Sequence, residues 1–112
     1  MVIETDYCVL VSGRSTDKSD IFKVFYGKLE TVPMIMECPL SIECRLFDIV
    51  ELPTNDLFIG EVVASYTEEQ YLTNNNLDIQ KIKPLFLTMP DNNYWKVGGH
   101  AGNAWNDKRI LR

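Results

Sequence analysis

The run Leu40-Ser41-Ile42-Glu43-Cys44-Arg45-Leu46, continued by Phe47-Asp48-Ile49-Val50, alternates apolar and polar residues with the period of two expected of a strand with one dry and one wet face. Leu52-Pro53-Thr54-Asn55-Asp56 is a turn cluster. Leu57 to Tyr66 is a second apolar run in which Gly60 marks a bulge or a barrel bend. The two runs predict an antiparallel hairpin over 40–50 and 57–66, with Leu40, Ile42, Cys44 and Leu46 on its inner face.

Working outward, Ile3 to Val11 predicts a helix that runs into a polar loop, with Gly13 at its C-terminal cap. Ile21 to Leu29 is aromatic and β-branched but is interrupted by Gly27, which predicts short extended pieces around a bend. Pro33 and Pro39 bracket Met34 to Cys38, too short a stretch for an element of its own. Residues 67–78 predict a surface loop around Asn74-Asn75-Asn76. Asp78 is placed to cap one helical turn through Lys83, which Pro84 ends. Leu85-Phe86-Leu87 and Tyr94-Trp95-Lys96-Val97 are two short strands around a turn at 90–93. Gly98-Gly99-His100 is a tight turn, and 103–112 a tail anchored by Trp105. Short strands outnumber helices, so the fold class is mainly β, a small barrel with short helices, in one domain over 1–112.

The composition narrows the function. The 112 residues are 46% apolar and 24% charged, an ordinary globular balance. Eleven Lys and Arg against sixteen Asp and Glu give a net charge of −5, which argues against a general nucleic-acid surface but leaves room for one small-anion site. No apolar run approaches the roughly 18 residues of a membrane span. The acidic start lacks the features of a signal peptide, so a cytoplasmic location is expected. Cys8, Cys38 and Cys44 are expected to be reduced, buried small hydrophobes. With one histidine and no C-x-x-C spacing they predict neither a disulfide framework nor a metal site.

Ser12-Gly13-Arg14-Ser15-Thr16-Asp17-Lys18 gathers hydroxyls, a glycine and two cations, the donors that a phosphate needs. It matches neither the P-loop nor the dinucleotide fingerprint, and on residue chemistry alone it reads first as a solvated loop and only second as a phosphate site. Tyr94 and Trp95 can wall a planar ligand or belong to the core. His100 lacks a carboxylate nearby in sequence unless Asp107 folds against it, and no catalytic residue is assigned.

Several stretches, in order, resemble the flavin reductase-like proteins of the flavoredoxin type. They are Glu4-Thr5-Asp6-Tyr7-Cys8, Ser12-Gly13-Arg14, Asp17-Lys18, Phe25-Tyr26-Gly27-Lys28-Leu29-Glu30, Pro33-Met34-Ile35, Glu37-Cys38-Pro39, Glu43-Cys44-Arg45, 56–63, 79–85, and Tyr94-Trp95 with Gly98 and Gly102. The resemblance implies an FMN-binding split β-barrel, a homodimer with the flavin near the subunit interface. It implies electron transfer between flavin and NAD(P)H or a redox partner protein. Carried onto this chain, Ser12, Gly13, Arg14 and Lys18 become candidate FMN phosphate ligands, with Tyr94 and Trp95 beside the ring. The family pattern starts upstream of residue 1, so the chain is expected to correspond to its C-terminal portion and the barrel to be incomplete. The alternative expectation is a truncated, non-catalytic split-barrel remnant that acts as a dimerising or binding module.

Overall fold

The computed structural model describes residues 2–15, 17–18 and 20–105. Thr16, Asp107 and the rest of the tail beyond Trp105 lie outside the described residues. Helix α1 (Val2–Leu10) is followed by β1 (Val24–Tyr26), β2 (Pro33–Ile35), β3 (Leu40–Glu51) and β4 (Asp56–Thr67). A 3-10 turn (Glu69–Tyr71), β5 (Leu72–Thr73), β6 (Asn76–Leu77), α2 (Ile79–Ile82), β7 (Leu85–Thr88) and β8 (Asn93–Lys96) complete the order. The fold is mainly β and split-barrel-like. Its described strands pair in sequence as four antiparallel two-stranded units, and no barrel closure joins these units.

The β3–β4 hairpin dominates. Its register, Leu40↔Thr67 to Glu51↔Asp56, is broken by irregularities between Glu43 and Cys44 and between Leu46 and Asp48. The second leaves Phe47 unpaired beside Gly60, where the sequence places a bulge. Pro33-Met34-Ile35 is a strand after all. Its partners Tyr26, Phe25 and Val24 supply the ladder that a three-residue stretch lacks by itself. Between β5 and β6, Asn74 and Asn75 take left-handed φ values of 50° and 65°, the backbone of a two-residue hairpin turn. Asp78 caps α2 as expected, its carboxylate accepting from the Gln80 N–H at 2.9 Å. Lys83, left-handed at φ 54°, ends that helix ahead of Pro84.

Beyond Leu40, which is half-buried, the expected inner face is overturned. Ile42 and Leu46 are 52% and 59% exposed, and Cys44 is exposed as well. The buried residue is Glu43, on the opposite face of the same strand and 1% exposed. The period-two pattern fixes which residues share a face, but burial depends on what lies across that face. Here the 27–35 segment packs over the Glu43 side.

Glu43 accepts hydrogen bonds from the backbone N–H groups of Lys28 and Leu29, both at 3.0 Å, and from the Tyr66 hydroxyl at 3.2 Å. Gly27 is required there. A Cβ at that position would lie 2.5 Å from the Tyr66 hydroxyl oxygen and 2.8 Å from Glu43 Oε1. Met34, at 7% exposure, is the buried hydrophobe among the described residues. The accessible surface is 10,021 Å², against about 6,300 Å² for a compact monomer of this mass. The radius of gyration is 17.7 Å, against about 13 Å for a compact chain of this length. No described helix is long and apolar enough to cross a membrane.

Candidate functional site

Helix α1 leads directly into the candidate anion segment. The Val11 N–H still bonds the Tyr7 carbonyl at 2.9 Å, and the Cys8 carbonyl in the last turn and the Val11 carbonyl just beyond it receive the Lys18 ammonium. Lys18 Nζ donates to Cys8 O at 3.1 Å and to Val11 O at 2.6 Å. A cation on the last turn is favoured by the helix dipole and by the unpaired carbonyls. Lys18, not Gly13, therefore terminates the helix. Gly13 has no left-handed φ, and a Cβ there would meet nothing within 4 Å.

Beyond the helix, residues 12–15 form a tight turn. The Ser15 N–H and hydroxyl both donate to the Ser12 carbonyl, at 3.1 and 3.0 Å. Ser12 Oγ accepts from the Arg14 N–H at 3.2 Å, which leaves the Ser12 hydroxyl proton available to a ligand. Ser12, Gly13 and Arg14 are exposed. The turn thus offers a hydroxyl, a guanidinium and an open backbone to a phosphate, with the Lys18 charge close behind it.

Tyr94 is tied to the same helix. Its hydroxyl donates to Asp6 Oδ1 at 3.2 Å. Partial burial first, and then the Asp6 carboxylate, hold the phenol above its ordinary pKa. Between α1 and β8 lies a cavity of about 470 Å³, lined by Ile3, Asp6, Tyr7, Leu10 and Tyr94 among others. That volume is in the range of small-molecule sites. Trp95 faces away from Tyr94, since neighbours on a strand point to opposite sides. Its indole N–H donates to Thr88 Oγ1 at 2.8 Å, and the residue is 53% exposed.

The structure therefore brings Ser12, Gly13, Arg14, Lys18 and Tyr94 to one helix and leaves Trp95 on the other face of its hairpin. Asp6 and Tyr7, which line the groove, were not legible as site residues. Their signal was there, however, because they follow Ile3 by three and four positions and share its helix face.

The residues present fit FMN in part: the aromatic and apolar side chains of α1 and β8 that line the groove suit one side of its ring, and the Ser12–Arg14 turn, which follows α1 but does not line the groove, has the donor set for a phosphate. Tyr94 and Trp95 cannot flank one ring together.

A second cavity, about 260 Å³, lies beside the Glu43 node and is lined by Phe25, Met36, Cys38 and Tyr66 among others. Phe25 and Tyr66 meet edge to face there, with centroids 5.7 Å apart. Burial, followed by the neighbouring Glu37 charge, pushes the Cys38 thiol up. Cys8 and Cys38 are half-buried and Cys44 is exposed, so the cysteines are not uniformly the buried hydrophobes expected.

The sequence model of a family described as "Flavin reductase like domain" matches residues 4–86. Flavoredoxin from Methanosarcina acetivorans is similar in structure, with a TM-score of 0.90 and 57% identity, over 95% of this chain and 57% of that one. Flavoredoxin of Desulfovibrio vulgaris (Miyazaki F) is similar at a TM-score of 0.84 and 28% identity, over 96% of this chain and 59% of that one. The chain thus spans less than two thirds of the length of either flavoredoxin. None of the curated proteins matches it.

Proposed function

The chain belongs to the flavin reductase-like family, and from that premise we propose that it is the phosphate-gripping part of an FMN-dependent electron-transfer protein of the cytoplasm. The observation that supports the reading is the Lys18 clamp, which ties the start of the Ser12–Arg14 turn to α1, the same helix that lines the groove with Tyr94. Bound FMN would supply the redox chemistry, accepting electrons from NAD(P)H or a protein donor. The chain's own residues bind and orient. Arg14 and Ser12 donate to the phosphate, Lys18 fixes the turn, and Tyr94 holds the groove wall to Asp6. No side chain is assigned a proton-transfer step.

A second reading, a dimerising module without redox activity of its own, is favoured by the exposed area. The excess over a compact monomer, roughly 3,700 Å², exceeds the roughly 800 Å² that each partner buries in a standard interface. The two readings agree on a homodimer, since unpaired strand edges and apolar faces are what a second copy covers.

Titration with FMN and with riboflavin, followed by flavin fluorescence, tests the first reading. Arg14→Ala should weaken FMN about tenfold, the value of one charge-assisted hydrogen bond, and leave riboflavin unchanged. Equal FMN affinity in wild type, Arg14→Ala and Ser12→Ala would remove the phosphate assignment. The open groove predicts weak FMN binding by the isolated chain, because most of the ring stays in water. Binding as tight and stoichiometric as a complete flavin site allows would show that a partner copy closes it.

A further inference from the structure

Outside that groove, a cleft runs between α2 and the strip that follows β8. Two adjoining cavities of about 320 and 380 Å³ share Ile79, Gln80, Val97, Gly98 and Gly99 as their common walls. At one end stand Lys83 and Lys96. At the other stand Asp78 and His100.

Four observations give this cleft a polarity. Neither lysine ammonium has a partner among the described residues, although acids outnumber bases by five in the whole chain. The Lys83 backbone is fixed, its N–H bonding Ile79 O at 3.0 Å, so its side chain leaves from a set position. Gly98 and Gly99 carry no Cβ, nothing lies within 4 Å of where one would stand, and their N–H groups take part in none of the turn or loop bonds. Asp78 does not compete for the lysines, since its carboxylate is engaged by the Thr73 hydroxyl at 2.6 Å and the Gln80 N–H at 2.9 Å.

Two cations lining one cavity both attract an anion placed between them, which offsets their mutual repulsion. Ile79 and Val97 add an apolar wall, which a bare inorganic ion would not use.

We propose that this cleft binds a phosphate ester, with the phosphate between Lys83, Lys96 and the Gly98–Gly99 backbone and the organic group along Ile79 and Val97 toward His100. The site shares no residue with the Ser12–Lys18 turn and does not rest on flavin binding. It gives the Gly98-Gly99-His100 segment a role as a floor without side chains and a polar end, in place of a general base.

The test is an amide-resolved NMR titration of the full chain with AMP, adenosine and inorganic phosphate at constant ionic strength. AMP should shift the Gly98 and Gly99 amides saturably. Replacing both lysines, Lys83→Gln with Lys96→Gln, should weaken it at least about tenfold. Arg14→Ala should leave it unchanged, which separates this site from the flavin reading. Amide shifts elsewhere report that the double variant is folded. Shifts that do not saturate, that survive the double substitution, or that move to residues 12–15 would overturn the proposal. So would adenosine or inorganic phosphate binding as tightly as AMP.

Discussion

At the root of the β3–β4 hairpin, Glu43 and Tyr66 face the 27–35 segment, and the Glu43 carboxylate gathers two turn N–H groups and the Tyr66 hydroxyl. At the tip, Phe47 and Phe58 are 72% and 65% exposed. The tip is the more apolar of the two and the less buried. Hydrophobic patterning set the pairing of these strands along their whole length, but it did not decide where the chain packs. That was decided by a carboxylate able to satisfy two turn N–H groups and a phenol at once. A buried ionisable group is tolerated where such donors converge, and removing it leaves them stranded.

Glu43→Ala should therefore be the most damaging single change. It orphans the half-buried Leu29 N–H and leaves the Lys28 N–H only its longer bond to the Tyr66 hydroxyl at 3.3 Å; at up to about 1–3 kcal/mol for an unsatisfied group, a fall of the urea midpoint would register it. A midpoint within error of wild type would mean the root is not the organising centre.

Next comes Gly27→Ala, whose methyl must displace the Tyr66 hydroxyl, Glu43 Oε1 or the Met34 methyl, 2.5 to 2.9 Å away. Overpacking of this kind costs about 1–3 kcal/mol. It should be partly rescued by Tyr66→Phe, which removes the nearest atom.

A smaller effect is expected at α2. The Thr73 hydroxyl first, and then the Gln80 N–H, hold the Asp78 carboxyl below its usual value. A carboxyl whose folded pKa is depressed stabilises the fold fully above its unfolded value near 3.9 and loses that contribution as pH falls through the lower folded value. The Gln80 amide should therefore exchange faster as pH drops below about 4, after correction for intrinsic exchange, and Asp78→Asn should flatten the profile.

Smallest of all, Phe47→Ser and Phe58→Ser should shift the midpoint of the monomer by under about 0.5 kcal/mol. They should nevertheless reduce self-association measured by sedimentation. A large loss of monomer stability would show that the tip packs within the chain.

What could be read from sequence was local. Asp78 as cap, Pro84 as stop and both strands of the long hairpin follow from near neighbours and stand where the residues placed them, while the turn expected at 90–93 lies one residue earlier, Asn93 being the first residue of β8. The misreadings were non-local. Nothing near residues 33–35 announces the Val24–Tyr26 partner that makes them a strand. Nothing near Glu43 reveals that a turn fourteen and fifteen residues earlier will aim its N–H groups at it. The sequence marks Lys18 as a useful cation, but its distance from the last carbonyls of α1 depends on how the loop folds back. For Tyr94 and Trp95 the alternation rule was available and already separates them to opposite faces.

The pinned root also makes the hairpin a lever. Residues 44–51 extend beyond the Glu43 node, and eight residues at about 3.4 Å each give an arm of roughly 27 Å. By simple proportion, a rotation of about 10° at the node would carry the tip some 5 Å, more than a typical side-chain contact allows. Any molecule seated at that far end, around the 51–56 turn, would thus feel small changes around Gly27 and Tyr66 as displacements several times larger, and the joint, not the blade, would set how well it fits.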